Sequence, residues 1–135
     1  MAKLPNSYSE ALALSMSLVD FERGSRIPDH HTFHLDRMNL LLHALGEPQN
    51  EIPSVHIAGT KGKGSTSAMV TSVLTASGYK PGLITSPHLH SVTERIRHGL
   101  EPITKPEFVS LVRALWPDVE TVSQSAALGG VTWFE

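Results

Sequence analysis

The residues most suggestive of chemistry lie in the stretch HIAGTKGKGSTSAM, which begins at His56. Three glycines and two lysines fall within the six residues from Gly59 to Gly64. Backbone N–H groups, a lysine and the start of a helix together hold phosphate oxygens in many proteins. Glycines allow such a loop to curl tightly, because a Cβ atom would block the approach of the ligand. The stretch therefore predicts a phosphate-binding loop.

The general phosphate-loop pattern, G-x-x-x-x-G-K-[ST], is not fully met. Gly62 and Lys63 supply the G-K pair, but Ile57 occupies the first glycine position and Gly64 follows the lysine. The context does fit, since an apolar run precedes the loop and a helix-like run follows it. A glycine-rich turn between a strand and a helix, with no ligand, remains the alternative.

Eight histidines raise the question of a metal site. His30, His31 and His34 form H-H-x-x-H, but no carboxylate pattern accompanies them and a zinc site needs three or four well-placed ligands. A polar loop is the favoured interpretation. His88 and His90 would share a face in an extended chain, and a loop role near the active cleft is favoured there.

Two further groups of polar residues have simpler explanations. His43 and His56 adjoin apolar residues and are expected in the core or at its rim. Glu94, Arg95 and Arg97 form a mixed charge cluster. A solvated arm is the simplest explanation of that cluster, and a role in the cleft is the alternative.

Four helices and two strands are expected to position these residues. Capping-box pairs (Ser7 with Glu10, Thr104 with Glu107) and glycine stops (Gly46, Gly78) mark several helix ends. The predicted helices cover residues 7–24, 35–48, 65–78 and 104–117. Buried strands are predicted at 54–59 and 81–86, with a hairpin or extended arm at 95–103.

The centre of the chain thus follows the order strand, glycine loop, helix, strand, which is typical of a βαβ unit. This predicts an α/β fold. Two strands cannot form a doubly wound domain, so we expect the 135 residues to be a piece of a longer protein.

Composition limits the other possibilities. The net charge is -2 and the pI about 6.4, which argues against a nucleic-acid binder that relies on overall basicity. The absence of cysteine excludes disulfides and thiolate metal sites. Neither a signal peptide nor an apolar run long enough for a bilayer is evident. A cytoplasmic protein is expected.

The variant loop G-T-x-G-K-G-S resembles the ATP loop of the Mur-ligase superfamily, and specifically of folylpolyglutamate synthase and dihydrofolate synthase. The segments HIAGTKGKGST, GYKPGLITSPHL and ERIRHGLEPI are similar to signatures of that family, and the match runs from about Leu35 to Thr104. The resemblance implies a P-loop domain with a mainly parallel sheet flanked by helices. Residues 1–135 would be the incomplete N-terminal portion of this ATP-binding domain, without the C-terminal amino-acid-binding domain.

The resemblance also implies a reaction. ATP phosphorylates a folate or dihydropteroate carboxylate, and the amino group of L-glutamate attacks the acyl phosphate to form an amide. Lys63 would be the catalytic contact to the β- and γ-phosphates. The cofactor-binding residues would be Thr60, Lys61, Gly62, Lys63, Gly64 and Ser65.

Further ligands are implied by the same resemblance. Ser86, in ITSPHL, would coordinate Mg²⁺, although a turn residue before Pro87 is the alternative. Two segments resemble pterin-contacting parts of the family. The first segment supplies Thr32, Phe33, His34 and Leu35, and the second supplies Thr132, Trp133, Phe134 and Glu135. Family members usually carry glycine at the position of His34. The start of a core helix is the alternative for the second segment.

The expected partners are therefore folate or dihydropteroate and L-glutamate, with ATP and Mg²⁺, and neither nucleic acid nor membrane. The full-length protein is expected to be a monomer, and this chain alone is expected to be inactive. The alternatives are a nucleotide-binding module without catalysis and a Mur ligase acting on a cell-wall precursor. The pair Gly64-Ser65 argues against the Mur ligase, where threonine typically follows the lysine.

Overall fold

The computed structural model describes residues 3–18, 35–124 and 130–133. The described residues form two units, one from within 1–53 and 109–135 and the other from 54–108. The helices are α1 (Tyr8–Met16), α2 (Leu35–Ala44), α3 (Lys63–Ala76) and α4 (Lys105–Ser123). The strands are β1 (Gly82–Ile84), β2 (Ile96–His98) and β3 (Glu101–Pro102), and short 3₁₀ turns lie at Pro48–Asn50 and Val92–Arg95. The α/β class is confirmed.

In the first unit, α1 begins at the predicted cap. The Ser7 hydroxyl accepts a hydrogen bond from the Glu10 N–H at 3.2 Å, and the Glu10 carboxylate accepts one from the Asn6 N–H at 2.7 Å. Such contacts satisfy N–H groups that lack partners within the helix. The helix ends at Met16 with Ser17 as its C-cap, so the single continuous helix predicted over residues 7–24 is wrong; residues 19–34 lie outside the described residues.

Helix α4 is longer than the sequence predicts. It was expected to end at Pro117, because proline removes a helical hydrogen bond and its ring crowds the carbonyl four residues earlier. The helix instead continues to Ser123. Buried Trp116, Val119 and Val122 form an apolar face across the proline, so packing outweighs its local cost.

In the second unit, the sheet is entirely antiparallel among the described strands, in the order β1-β2-β3. Leu83 pairs with Arg97 and His98 pairs with Glu101, while Gly99 (φ 60°) makes the turn between β2 and β3. The predicted hairpin is therefore confirmed. Helix α3 contacts β1, and the core of this unit includes Leu83, Val92, Ile103 and Phe108.

The predicted buried strand at 54–59 is wrong, and with it the parallel βαβ unit within the described chain. These residues form no ladder in the described structure, and Val55 is 70% exposed. A strand needs a partner in register. The three described strands pair with one another, and none of them pairs with residues 54–59. The mainly parallel sheet is thus not seen in these residues.

Candidate phosphate-binding site

The glycine loop keeps its backbone open to solvent. All residues from Ala58 to Thr66 are exposed. Gly62 is the N-cap of α3 with φ 76° and ψ 0°, a left-handed conformation that costs glycine little and other residues more. No atom lies within 4 Å of a Cβ built at Gly62 or at Gly64. The loop is therefore shaped by its backbone conformation and leaves room beside it.

The first turn of α3 presents unused hydrogen-bond donors. The Thr66 N–H donates to the Gly62 carbonyl at 2.9 Å, which closes the first helical turn. Within the described residues, no group accepts from the N–H groups of Lys63, Gly64 or Ser65. Such donors, at the positive end of a 14-residue helix, favour an anion in front of them.

The Lys63 side chain folds back over the same loop. Its ammonium donates to the Gly59 carbonyl at 2.8 Å. Lys61 lies between Gly59 and Gly62 and is exposed. Both lysines thus lie beside the helix end, and the six predicted nucleotide contacts, Thr60 to Ser65, form one continuous exposed surface.

Ser86 lies two residues after the end of β1, in the same unit as the glycine loop. It is exposed, and no hydrogen bond joins it to the loop among the described residues. Just before it, the Thr85 N–H donates to the Arg95 carbonyl at 3.0 Å. The serine hydroxyl is therefore available to a ligand, at the end of a strand that α3 contacts.

Several known proteins are similar to this chain in sequence and in fold. No protein-family model matches the chain. A dihydrofolate synthase/folylpolyglutamate synthase of Bacillus subtilis is 42% identical over 101 residues, covering 75% of this chain and 23% of that protein. A Mycobacterium tuberculosis folylpolyglutamate synthase solved with ADP and AMPPCP has a TM-score of 0.71 and 40% identity, over 74% of this chain and 23% of that one.

A folylpolyglutamate synthase complex with AMPPCP and folate extends the likeness to 95% of this chain and 29% of its own, with a TM-score of 0.80 and 35% identity. The resemblance to the folylpolyglutamate and dihydrofolate synthase family is confirmed. The likeness covers most of the chain, whereas the chain spans only about a quarter of the B. subtilis synthase.

The sequence interpretation did not predict the hydrogen bonds of the Glu94 carboxylate. Its carboxylate accepts hydrogen bonds from three consecutive N–H groups, those of Leu89 (3.0 Å), His90 (3.0 Å) and Ser91 (2.8 Å). These bonds, with that from Leu89 the strongest influence, hold the pKa of Glu94 below its ordinary range. The pattern S-V-T-E from Ser91 to Glu94 is a capping box, and that signal was present in the sequence.

The two arginines of the same cluster also contact the chain directly. The Arg95 Nε group donates to His88 Nδ1 at 2.9 Å. Arg97 donates to the carbonyls of Glu94 and Leu100, each at 2.9 Å. The prediction of a solvated arm is therefore wrong, because these side chains fix the segment that joins β1 to the hairpin.

The histidines make pairwise contacts. In the described part of the chain, no three histidine or acidic side chains gather as metal ligands. His43, His90 and His98 each lie near one glutamate, at 3.4, 3.8 and 3.2 Å. The core placement of His43 and His56 is wrong, since both are exposed. His30, His31 and His34 lie outside the described residues.

The segments that resemble pterin contacts are described only in part. Leu35 is 80% exposed at the start of α2, while Thr132 is 5% exposed and Trp133 is half-buried. The Val131 N–H donates to the Ser123 hydroxyl at 3.1 Å, which ties this segment to the end of α4. Thr32, Phe33, His34, Phe134 and Glu135 lie outside the described residues.

No described helix has the length and apolar character needed to cross a bilayer.

Proposed function

We propose that this chain carries the ATP loop of a ligase that joins L-glutamate to the carboxylate of a folate or of dihydropteroate. The observation that carries the proposal is the first turn of α3, where three N–H donors and Lys63 face solvent together. Relatives solved with ADP, AMPPCP and folate support a nucleotide as the anion and a folate as the acceptor.

The chemistry assigned to these residues is phosphoryl transfer followed by amide formation. A carboxylate oxygen of the folate attacks the γ-phosphorus, ADP leaves, and an acyl phosphate forms. The glutamate nitrogen then attacks the acyl carbon, loses a proton, and expels inorganic phosphate. Phosphoryl transfer depends mainly on positioning and charge neutralisation. Lys63 supplies charge at the β- and γ-phosphates, and the N–H groups of Gly62, Gly64 and Ser65 hold the phosphate oxygens, with Thr60 and Lys61 completing the loop.

Ser86 fits the part of a Mg²⁺ ligand. Mg²⁺ prefers oxygen donors and, at nucleotide sites, binds few protein groups beside phosphate oxygens and water. An exposed hydroxyl just beyond β1, in the unit that holds the glycine loop, meets that limited requirement. Bound Mg²⁺ would supply charge stabilisation for phosphoryl transfer.

The folate is assigned to the two remaining segments. Thr32 to Leu35 and Thr132 to Glu135 are proposed pterin contacts, with the Phe134 ring stacking on the pterin. Because Thr132 is buried, we propose that it supports its own segment and does not contact the pterin directly.

The chain is proposed to be the N-terminal portion of a Mur-ligase-type ATPase domain with a mainly parallel sheet, followed in the complete protein by an amino-acid-binding domain. The complete protein would act as a cytoplasmic monomer without nucleic acid or membrane partners. Residues 1–135 alone would not catalyse ligation.

The test is ATP-dependent incorporation of labelled glutamate, measured with the complete protein on dihydropteroate and on tetrahydrofolate separately. Incorporation with either acceptor, together with ADP release, is expected, and residues 1–135 alone should give none. Ligation by the short chain would contradict the assignment of an incomplete site. ATP binding without ligation on either acceptor would favour a nucleotide-binding module, and activity on a cell-wall precursor would favour a Mur ligase.

A further inference from the structure

The segment that carries Ser86 is fixed by two consecutive residues that follow it in sequence. At its far end, the Glu94 carboxylate accepts from the N–H groups of Leu89, His90 and Ser91, all within 3.0 Å. Both carboxylate oxygens take part, since Oε2 accepts from Leu89 and Oε1 from the other two. Three backbone units are thereby held around one side chain.

Arg95 fixes the same segment at its near end and in its middle. Its carbonyl accepts from the Thr85 N–H at 3.0 Å, immediately before Ser86. Its Nε group donates to His88 Nδ1 at 2.9 Å, immediately after Pro87. Ser86 therefore lies between two fixed residues.

We propose that Glu94, whose carboxylate fixes the backbone of residues 89–91, is the positioning residue for the metal-binding hydroxyl of Ser86. The inference rests on the proposed function, because it assumes that Ser86 binds Mg²⁺. Mg²⁺ demands near-ideal octahedral geometry, so a hydroxyl on a loosely held turn is a poor ligand. Supporting groups of this kind fix the ligands of many metal sites.

The arrangement suits an ionised carboxylate better than an amide. An ionised carboxylate accepts at both oxygens, whereas glutamine offers one acceptor oxygen and presents an NH₂ group at the other position. In Glu94→Gln, at least one of the three N–H groups would face a donor. Hydrogen bonds to charged acceptors are also stronger than those to neutral ones. The substitution therefore loosens residues 89–91 without touching Ser86 itself.

The test compares Glu94→Gln with Glu107→Gln in the complete protein. Glu107 is a matched control, because its carboxylate also caps a helix in the same unit, accepting from the Thr104 N–H and hydroxyl at 2.7 Å. The first measurement is hydrogen exchange of the peptide containing residues 89–91 in metal-free protein. Faster exchange is expected in Glu94→Gln and wild-type exchange in Glu107→Gln.

The second measurement is metal binding, followed as free Mn²⁺ by electron paramagnetic resonance in the presence of AMPPCP. Glu94→Gln is expected to weaken Mn²⁺ binding by roughly tenfold, as expected when a ligand is held less firmly. The KM for glutamate should stay at the wild-type value. Equal effects of the two substitutions, or faster exchange without weaker metal binding, would overturn the proposal.

Ser86→Ala separates this proposal from the one beneath it. If Ser86→Ala leaves Mn²⁺ binding unchanged, the metal role of Ser86 fails and the positioning role fails with it. If Ser86→Ala weakens binding and Glu94→Gln does not, only the positioning role is wrong. We expect both single variants to bind Mn²⁺ more weakly than wild type, and the double variant to lose no further affinity. Should Glu94→Gln fail to fold, Glu94→Asp decides, since its shorter carboxylate cannot reach all three N–H groups and should weaken Mn²⁺ binding in the same direction.

Discussion

The two loops assigned to the phosphate end of the nucleotide are built in opposite ways. The glycine loop from Gly59 to Gly64 is exposed and leaves the N–H groups at the start of α3 without acceptors among the described residues. In the segment from Thr85 to Ser91, Glu94 and Arg95 accept from four backbone N–H groups, those of Thr85, Leu89, His90 and Ser91, and Arg95 also donates to the His88 ring.

The difference follows from what each loop has to offer a ligand. A loop that binds anions through its backbone must keep its N–H groups free until the ligand arrives. A loop that offers a single side-chain oxygen can bond its backbone N–H groups internally. Those bonds fix the position of the oxygen. Substitutions in the first loop should therefore act on binding directly, and those in the second should act through position.

The largest expected effect comes from Lys63→Met in the complete protein. Loss of the ammonium at the transferred phosphate should lower kcat for glutamate addition by roughly 10³-fold, comparable to the loss of other phosphate-neutralising cations. Lys61→Met is the matched control in the same loop, with a fall of less than about tenfold expected because it adds only a flanking charge. Steady-state kinetics at saturating ATP measure both.

Similar losses in Lys63→Met and Lys61→Met would mean that the loop acts through its total charge. In that case the bond between Lys63 and Gly59 would have no special place in the site. Wild-type activity in Lys63→Met would remove the catalytic assignment altogether.

An intermediate effect is expected from alanine at the two glycines around Lys63. Gly62→Ala forces a left-handed backbone on a residue with a Cβ and should lower the free energy of unfolding by about 1–2 kcal/mol. Gly64 lies in the first turn of α3 and has no positive φ. Gly64→Ala should therefore raise the free energy of unfolding by up to about 1 kcal/mol. Denaturant unfolding compares them.

The Gly64→Ala protein should nevertheless bind AMPPCP more weakly, since a Cβ at residue 64 would take up open space beside the proposed phosphate site. Greater stability with weaker binding would support the view that the open loop is kept for the ligand. Unchanged AMPPCP affinity in Gly64→Ala would contradict close approach of the phosphate at this glycine.

The smallest expected effect is a pH dependence from the second loop. The N–H groups of Leu89, Ser91 and His90 hold the pKa of Glu94 below its ordinary value of 4.5. The unfolded chain thus binds this proton more readily, so the stabilisation is complete above pH 4.5 and is lost as the pH falls through the lowered value. As the pH is lowered through this range, the free energy of unfolding should fall less steeply in Glu94→Gln than in wild type. The two slopes should agree near neutral pH, and a difference there would point to another group.

Local signals in the sequence predicted the capped helix starts and two of the helix ends. The caps at Ser7 and Thr104 and the glycine stops at Gly46 and Gly78 depend on residues within one turn of each other, and all four are present in the structure. The cap at Ser91 carries the same kind of signal, although Glu94 also stands next to Arg95 in a pattern that resembles a charge cluster.

Non-local features were predicted less well. Whether residues 54–59 form a strand depends on a partner elsewhere in the chain, which β-branched composition cannot reveal. The continuation of α4 through Pro117 depends on the burial of Val119 and Val122, which local propensity also omits. The phosphate loop itself was predictable, because its donors, its glycines and its lysine are neighbours in sequence.

The hydrogen bond from Lys63 to the Gly59 carbonyl has a consequence for how tightly a ligand can be held. A free lysine side chain samples many rotamers, and fixing them costs up to about 2 kcal/mol. The bond to Gly59 already restricts those rotamers, and an ammonium with three protons can keep this acceptor while donating to a phosphate. Part of the ordering that nucleotide binding at Lys63 would require is therefore completed during folding, because the ammonium is already held against the loop.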